Sequence, residues 1–405
     1  MADAQPPRRR ALLLENIHPG AARLLTEAGF EVELIKGALD ESELADRITE
    51  VDVLGIRSRT QVTESILDKS KSLMAVGAFC IGTNQIDLPA ATRRGITVFN
   101  APFSNTRSVV ELVIAEIIAL TRRLMDKNRE MHAGIWSKSA TGSHEVRGRK
   151  LGIVGYGNIG SQLSVLGESL GMTVGFYDTA DRLALGNARR MQSLEELLAW
   201  ADVITLHVDG RPDNRGLFGE AEFAAMKPGS LFLNLSRGFV VDHGSLRDHI
   251  QSGHIAGAAV DVFLEEPAGN DTAFKSRLQN LPNVILTPHI GGSTEEAQVD
   301  IGQFVATKLI DYVRCGSTAM SVNMPNVDLP TRAGAHGLVH IHRNTPGVLA
   351  AINSIFAEHR VNIEGQALGT SGEVGYVITD IASDYTEEMI GRLAHMDETI
   401  RLRVL

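Results

Sequence analysis

The stretch "KLGIVGYGNIG", residues 150–160, carries three glycines directly after an apolar run. Gly155, Gly157 and Gly160 form a GxGxxG pattern, and a helix candidate follows from Ile159 onward. The first glycine permits a tight turn, the second lets a pyrophosphate approach the backbone, and the third lets the helix pack on the strand. The N-terminus of that helix then faces the phosphates. The stretch therefore predicts a dinucleotide-binding turn in a Rossmann-type sheet.

An acidic residue follows where a nicotinamide dinucleotide requires one. The next apolar strand, "MTVGFYD", ends in Asp178, near the spacing of ~20 residues expected for an acid that binds the ribose. The charge of this carboxylate would repel a 2′-phosphate, and no arginine immediately follows it. We therefore expect NAD rather than NADP as the cofactor.

Apolar strands alternate with amphipathic segments on both sides of this turn. The alternation runs over residues 11–100 and 150–290, with a long apolar helix candidate at Ser108–Leu124 between them. Such alternation favours parallel sheets built from βα units. Residues 336–405 follow the ferredoxin-like order βαββαβ. The predicted fold class is α/β, with two Rossmann-like doubly wound parallel-sheet domains and a C-terminal ferredoxin-like domain.

Changes in composition predict the domain boundaries. Residues 317–335 are rich in Gly, Pro and Asn and lack periodicity, which is typical of an interdomain linker. We expect the chain to return to its first domain after finishing the second. The predicted parts are a substrate-binding domain at 8–104 and 293–316, an NAD-binding domain at 105–292, the linker at 317–335 and a C-terminal domain at 336–405.

Bulk composition narrows the class of protein. The 405 residues are 43% hydrophobic and 22% charged, with a formal net charge of −10. This acidity, with no long basic stripe, argues against nucleic acid as the main partner. No apolar run approaches the ~18 residues needed to cross a bilayer, and the two cysteines imply no disulfide framework. We expect a cytoplasmic multidomain protein without a metal or a membrane partner.

Three polar groups follow successive apolar strands in the second half of the chain. Arg237 comes just after "LFLNLS", Glu266 lies beyond "VDVF", and His289 follows "VILTP". Each has an ordinary explanation by itself, as a turn residue, a cap or a partner of a helix C-terminus. The carboxyl ends of parallel strands meet at one edge of a sheet, where ligands bind. The joint placement therefore predicts a substrate anchor and a proton carrier beside the nicotinamide.

The motifs "SRG", "DVFxxEP" and "PHIGG" around these residues resemble those of the D-isomer-specific 2-hydroxyacid dehydrogenases. The resemblance implies that His289 is the general acid and base, that Glu266 orients it, and that Arg237 holds the substrate carboxylate. It also implies a set of residues that line the cofactor site together with the three glycines: Asn158, Ile159, Asp178, Leu235, Ser236, Asp261, Gly291 and Gly292.

A pair of arginines in "VDVLGIRSRT", residues 51–60, is unusual in an acidic chain. If the strand continues through Arg59, Arg57 and Arg59 lie on the same face and form a cationic clamp. The alternative is a solvated strand end. The stretches "KGALD", "RSRT" and "FCIGTNQIDLPAATRRGITVFNAPFSNTRSVVELV" resemble family members that interconvert 3-phosphoglycerate and 3-phosphohydroxypyruvate. The implied phosphate-binding residues are Arg57, Ser58, Arg59, Lys36 and Lys138, and whether Lys138 serves its own or a neighbouring subunit's site stays open.

The C-terminal unit contains "HIHRNTPGVL" and "RVNIEG" and resembles an ACT domain. Its turn leads into a helix whose free N–H groups suit a carboxylate ligand. The resemblance implies L-serine as effector, with His342, Asn344 and Asn362 as its contacts. A metal pair formed by His340 and His342 is disfavoured because no third ligand accompanies it, and a purely structural role for the unit stays open.

Two other functions stay open at this point. The chain could be a dehydrogenase of another 2-hydroxy acid, related to glyoxylate, hydroxypyruvate or 2-oxoglutarate, or an NAD-binding sensor without turnover. The paired arginines and the C-terminal unit favour the phosphorylated substrate. The resemblance also implies a homo-oligomer, with a tetramer expected.

Overall fold

The computed structural model describes residues 9–267, 272–330, 336–382 and 385–405. They form two compact units, one made of the described residues up to Ser104 and from Gln298 onward, the other of Asn105–Ala297. In the described part of the chain, no helix combines the length and the apolar character needed to cross a bilayer.

The first unit begins with a five-stranded parallel sheet in the order β2-β1-β3-β4-β5. This is the flavodoxin-like doubly wound order, and the inner strands are buried because both faces are covered. The strands are β1 (Arg10–Leu13), β2 (Glu31–Leu34), β3 (Val53–Ile56), β4 (Ala75–Ala78) and β5 (Thr97–Asn100), and the helices are α1 (Pro19–Glu27), α2 (Glu41–Arg47), α3 (Glu64–Lys69) and α4 (Leu88–Arg93).

Side chains fix where these helices begin. Asp40 forms a capping box with Glu43 at the start of α2, and Thr63 and Asp87 accept backbone N–H groups at the starts of α3 and α4. Such caps satisfy N–H groups that have no partner within the helix. The short helices therefore begin at defined residues, just after the loops that follow strands β2, β3 and β4.

The second unit carries a seven-stranded parallel sheet in the order β12-β11-β10-β9-β6-β7-β8, the Rossmann order extended by one strand. Its elements are α5 (Thr106–Thr121), α6 (Leu124–His132), β6 (Lys150–Val154), α7 (Asn158–Ser169), β7 (Thr173–Tyr177), β8 (Arg189–Arg190), α8 (Leu194–Trp200), β9 (Val203–Leu206), α9 (Glu220–Ala225), β10 (Ser230–Asn234), α10 (His243–Gln251), β11 (Ile255–Val260) and β12 (Val284–Leu286).

The predicted helix at Ser108–Leu124 is wrong at both ends. The helix α5 begins earlier, at Thr106, and ends at Thr121. Arg123 then adopts a left-handed conformation with φ of 50°, and α6 begins at Leu124. A left-handed residue breaks the repeat of helical hydrogen bonds, and an arginine gives no local signal of such a break.

Helix α11 (Glu295–Cys315) leads back into the first unit, and its residues from Gln298 onward belong to that unit. The stretch 317–330, predicted to be part of a linker, contains no helix or strand but is packed. Asn323 accepts the N–H of Val98 through Oδ1 at 2.8 Å, and Met324 and Val327 are buried. The remaining part of that prediction, 331–335, lies outside the described residues.

The C-terminal domain, which is the part of the first unit from His336 onward, is an antiparallel sheet of order β14-β15-β13-β16 with two helices. This confirms the predicted βαββαβ arrangement. Its elements are β13 (His336–Arg343), α12 (Val348–Glu358), β14 (Ile363–Ser371), β15 (Val374–Ile381), α13 (Glu387–Ala394) and β16 (Thr399–Val404). Arg403 stacks on Tyr312 of α11, with 4.5 Å between its Cζ and the ring centroid. The module therefore packs directly on the end of α11.

Candidate active site

The glycine turn after β6 has the geometry that a dinucleotide requires. Gly155 has φ of 91°, and a Cβ there would stand 2.6 Å from the carbonyl oxygen of His207. A Cβ on Gly160 would stand 2.3 Å from the carbonyl oxygen of Gly155. A Cβ on Gly157 would meet nothing within 4 Å. The two outer glycines thus permit close packing, and the middle one leaves open space at the start of α7 where Asn158 and Ile159 lie.

Asp178 lies directly after β7 and is tied to this turn. Its Oδ2 accepts the N–H of Tyr156 at 2.8 Å, and its Oδ1 accepts the N–H of Ala180 at 2.8 Å. Arg182, which the sequence analysis did not consider, approaches Oδ2 at 3.6 Å. The carboxylate is therefore held beside the phosphate-binding turn, as expected for a group that binds a ribose.

The predicted acid–base pair is in direct contact. Nδ1 of His289 lies 2.9 Å from Oε2 of Glu266, and both side chains are partly exposed. The hydrogen bond to Glu266 raises the pKa of His289 and outweighs its burial. Burial opposes ionisation of Glu266, but hydrogen bonds from His289 and from the N–H of Phe263 lower its pKa on balance. The contact therefore favours imidazolium beside carboxylate.

His289 adopts a left-handed backbone conformation with φ of 55°. Histidine is tolerated in this region but costs conformational energy there. Its N–H donates to the carbonyl of Thr287, which closes the turn after β12. The strained turn presents the imidazole to Glu266, and this is the kind of backbone outlier found at functional sites.

Arg237 follows β10 and lies close to the same pair. The positive charge of Arg237 lowers the pKa of Glu266 and the pKa of His289, and in both cases it is a smaller cause than the hydrogen bond between the two residues. A Cβ on the adjacent Gly238 would stand 2.0 Å from the carbonyl oxygen of Phe263, so the loops after β10 and β11 pack backbone against backbone. Only glycine permits this approach, which brings Arg237 and Glu266 to one edge of the sheet.

Asp261 shapes the turn that carries His289. It is buried, and it accepts the hydroxyl of Thr287 at 2.6 Å and the N–H groups of Ile290 and Gly291 at 2.8 Å each. The carboxylate thus accepts hydrogen bonds from the donor groups of the turn after β12. Asp261 is therefore an organising residue at the predicted cofactor site.

The remaining predicted cofactor residues lie at the same edge of the sheet. Leu235 and Ser236 follow β10 and are buried, with the Ser236 hydroxyl donating to Oδ1 of Asn234 at 2.8 Å. A Cβ on Gly292 would stand 2.1 Å from the Nδ2 of Asn105. Gly291 and Gly292 thus let the turn after β12 pack closely on Asp261 and on the start of α5.

In the first unit, the condition for the same-face clamp, that β3 continues through Arg59, is not met. The strand ends at Ile56, and Arg57, Ser58 and Arg59 lie in a loop. The loop forms because the N–H groups after β3 turn toward the Glu15 carboxylate instead of toward a neighbouring strand. The same-face argument for a clamp therefore does not apply, and any pairing of the two guanidiniums depends on the loop.

Lys36 lies in the loop after β2, and Lys138 lies in an exposed stretch of the second unit. Strands β2, β1 and β3 are adjacent and parallel, so the loops of Lys36 and Arg57 leave the same edge of the first sheet. Among the described residues, none of the side chains of Lys36, Arg57, Arg59 and Lys138 makes a hydrogen bond or an ion pair. All four cations are thus available to an anion.

His342 and Asn344 lie at one end of the C-terminal sheet and Asn362 lies at the opposite end, since β15 pairs with His342 at Gly375 and with Ile363 at Ile381. His342 is buried near the end of β13 and contacts the carbonyl of Arg343 through Nδ1 at 2.8 Å. Asn344 donates to the carbonyl of Gly372 at 3.0 Å, and Asn362 precedes β14. Nε2 of His340 contacts the hydroxyl of Thr399 at 2.7 Å, which occupies that nitrogen in a structural bond.

Three buried residues near these sites escaped the sequence analysis. Glu15 and Gln85 hold the arginine loop, and Glu116 lies in α5 near Asp261. Glu15 and Glu116 stand inside or beside apolar runs and no local motif marks them, whereas Gln85 lies within the quoted stretch "FCIGTNQIDL" but was not singled out there. Only the parallel order of the strands brings Glu15 to the loop of Arg57.

Comparison with known proteins agrees with this geometry. Residues 114–291 match the family described as "D-isomer specific 2-hydroxyacid dehydrogenase, NAD binding domain", and residues 338–401 match an "AHAS small subunit-like ACT domain". The chain belongs to the D-isomer-specific 2-hydroxyacid dehydrogenases, a family of NAD-dependent enzymes. The predicted fold class, the NAD cofactor and the ACT domain are confirmed.

Particular relatives define the position of the chain within the family. It is 52% identical over 397 residues to the D-3-phosphoglycerate dehydrogenase of Escherichia coli, covering 97% of each chain. It is 48% identical to the D-3-phosphoglycerate dehydrogenase of Dictyostelium discoideum, covering 98% of this chain and 97% of the relative. Among solved structures, a D-lactate dehydrogenase from Aquifex aeolicus, complexed with NAD and lactic acid, matches with a TM-score of 0.69 and 25% identity, over 78% of this chain and 100% of the other.

Proposed function

We propose that the chain catalyses the NAD-dependent oxidation of 3-phospho-D-glycerate to 3-phosphohydroxypyruvate, the first step of L-serine synthesis. The observation that supports the proposal is that cationic side chains follow strands in both units. Arg237 accompanies the acid–base pair, and in a separate loop the side chains of Arg57 and Arg59 make no polar contact among the described residues. Full-length relatives bear the name of this enzyme.

The second unit supplies the acid–base chemistry. In the oxidative direction His289 accepts the proton of the substrate hydroxyl, and Glu266 stabilises the imidazolium that forms. Arg237 binds the substrate carboxylate and orients the reacting carbon. The glycine turn and Asp178 would hold NAD, which would supply the hydride acceptor for that carbon. In the reductive direction His289 returns the proton.

The first unit supplies recognition of the phosphate. Arginine offers forked, charged donors that match phosphate oxygens. Arg57 and Arg59 carry this role, with Ser58 and Lys36 beside them. Lys138 is an additional candidate, and it serves either its own substrate site or that of a neighbouring subunit. A substrate without phosphate leaves these contacts unmade and binds more weakly.

The ACT domain supplies regulation. L-serine, the end product of the pathway, binds at the ACT domain and lowers turnover, with His342, Asn344 and Asn362 as its contacts. Because Asn362 lies at the opposite end of the sheet from the other two, one site that uses all three requires a second copy of the domain. The enzyme works as a cytoplasmic homotetramer, as its resemblance to the family implies.

The test follows NADH oxidation with 3-phosphohydroxypyruvate, hydroxypyruvate, 2-oxoglutarate and glyoxylate, each with and without L-serine. A strong preference for the phosphorylated keto acid, with loss of rate on serine addition, supports the proposal. Equal rates on the unphosphorylated acids would assign the chain to another 2-hydroxy acid. NADH binding without turnover on any of them would favour a sensor, and an unchanged rate with saturating serine would remove the effector assignment.

A further inference from the structure

We propose that Glu15 is a positioning residue of the phosphate site, because its buried carboxylate organises the loops that carry Arg57, Arg59 and Lys36. The inference rests on the proposed function and adds a residue to it. Glu15 lies just after β1, the strand between β2 and β3, and is 8% exposed.

The carboxylate of Glu15 collects the backbone donors of the arginine loop. Its Oε1 accepts the N–H of Arg57 at 3.2 Å and that of Thr60 at 2.8 Å, and its Oε2 accepts the N–H of Arg59 at 3.0 Å. Three converging N–H groups form a pocket that suits an anion. The side chain thus fixes the backbone on both sides of Ser58 and sets the direction in which the two guanidiniums leave it.

The backbone of the same residue holds the second cationic loop. The N–H of Glu15 donates to the carbonyl of Gly37 at 2.9 Å, and the N–H of Asn16 donates to that of Ile35 at 3.4 Å. Both Glu15 and Asn16 have positive φ, 63° and 54°. Such conformations persist only where surrounding contacts enforce them. The turn after β1 therefore links the loop of Lys36 to the loop of Arg57 and Arg59.

A second buried side chain holds the arginine loop from the other side. Nε2 of Gln85 donates to the carbonyl of Arg57 at 2.5 Å and to that of Gly82 at 3.2 Å. Gln85 is 4% exposed. The N–H and the carbonyl of Arg57 are thus both bound by buried groups, while its guanidinium stays free among the described residues. A fixed backbone with a free guanidinium suits a loop that must present charged donors to a ligand.

The chemistry requires a carboxylate at position 15. A glutamine offers one acceptor oxygen, and its amide would direct two donors at N–H groups that already need acceptors. Glu15→Gln therefore leaves at least one loop N–H without its partner while preserving the size of the side chain. An effect on phosphate recognition follows if the loop geometry matters. A uniform loss of activity follows if Glu15 only stabilises the fold.

The experiment measures kcat/KM of the full-length enzyme for 3-phosphohydroxypyruvate and for hydroxypyruvate, which differ only by the phosphate. Loss of one charge-assisted contact corresponds to about tenfold or more. We expect Glu15→Gln to lower kcat/KM for the phosphorylated acid by about tenfold, mainly through KM, and to change that for hydroxypyruvate by less than about twofold. Equal losses for the two acids, or no loss for either, would overturn the inference.

Two further variants keep the test decisive. Asp52→Asn is the matched control, because the Asp52 carboxylate accepts the N–H of Arg10 at 2.7 Å at the opposite end of the same strands. It should leave the ratio of the two kcat/KM values unchanged. If Glu15→Gln does not fold, Gln85→Met removes the other anchor of the loop and should lower the same ratio. An unchanged ratio in Gln85→Met would then count against the inference.

The failure of this inference is separable from failure of the proposed function. A wild-type enzyme that does not prefer 3-phosphohydroxypyruvate to hydroxypyruvate contradicts the proposed substrate, whatever Glu15 does. A wild-type preference that survives intact in folded Glu15→Gln contradicts only the positioning role.

Discussion

The acid–base site of the second unit and the arginine loop of the first unit are held in opposite ways. Glu266 and His289 contact each other through their side chains. Arg57 and Arg59 are held through their backbone N–H groups, and their side chains make no polar contact among the described residues. In one region the structure orders the reacting groups themselves. In the other it orders only the backbone that presents them.

The difference follows from what each region must do. A proton carrier needs its protonation state set before the substrate arrives, and a fixed carboxylate partner does this. An anion-binding loop needs free donors, since a guanidinium already paired with a carboxylate would have to break that pair first. In this protein the proposed catalytic residues contact each other through their side chains before substrate binds. The proposed phosphate-binding residues have a hydrogen-bonded backbone, and their side chains are left for the ligand.

The largest effect is expected from breaking the acid–base region. His289→Ala removes the proton carrier and should lower turnover by roughly 10²–10⁴-fold, the usual contribution of general acid–base catalysis. NADH affinity should stay near the wild-type value, since the glycine turn and Asp178 are intact. The exposed His144 of the same unit provides the control His144→Ala. Near-normal turnover in His289→Ala would refute the assigned role.

The next effect is expected from the arginine loop. Arg57→Ala and Arg59→Ala each remove a charged donor worth about 1.5–3 kcal/mol, which is a ten- to hundredfold loss of kcat/KM for 3-phosphohydroxypyruvate. The loss for hydroxypyruvate should be much smaller, because it has no phosphate to bind. Arg47→Ala is the control, since Arg47 pairs with Glu33 on the surface of the same unit. Equal penalties for the two substrates would return Arg57 and Arg59 to the status of surface charges.

A smaller, pH-dependent effect sharpens the first half of the comparison. The hydrogen bond that His289 donates to Glu266 raises the pKa of His289, so the imidazolium needed for keto-acid reduction persists to higher pH. The rate in that direction should hold below this pKa and fall as pH rises through it. Glu266→Gln lowers the pKa, and the fall should begin at lower pH. The pH profile of kcat/KM measures the shift, and identical profiles for the two enzymes would remove Glu266 from this role.

More of the acid–base site than of the arginine loop can be predicted from the sequence. The glycine turn and the residues Arg237, Glu266 and His289 were identified in advance because each follows an apolar strand, and parallel strands bring their ends together. Glu15 only ends the apolar run "ALLL" and has no local signal of a function. Its role depends on β1 lying between β2 and β3, which no local pattern encodes. The end of β3 at Ile56 coincides with the end of the apolar run "VDVLGI", but no local signal shows that the Glu15 carboxylate holds the loop that follows.

The two units also differ in how each surrounds a buried glutamate. Glu15 in the first unit accepts three backbone N–H groups. Glu116 in α5 of the second unit is 3% exposed, and neither of its carboxylate oxygens has a hydrogen-bond partner in the described part of the chain. Burial, with a contribution from the charge of Asp261, raises the pKa of Glu116 to about 8. Glu116 is therefore expected to be protonated in the folded enzyme at neutral pH.

This difference predicts an effect of Glu116→Gln on stability that depends on pH, with only a small effect on activity. Between the ordinary glutamate pKa and about 8, the folded protein binds a proton that the unfolded chain has lost. The free energy of unfolding should therefore fall by about 1.4 kcal/mol per pH unit as pH rises through this window. Glu116→Gln stays neutral and removes this slope, so its advantage in thermal midpoint over the wild type should grow from pH 6 to pH 8. A difference in thermal midpoint that stays constant across that range would mean that Glu116 is ionised or solvated. The second unit would then not differ from the first in having a buried carboxyl group without a partner.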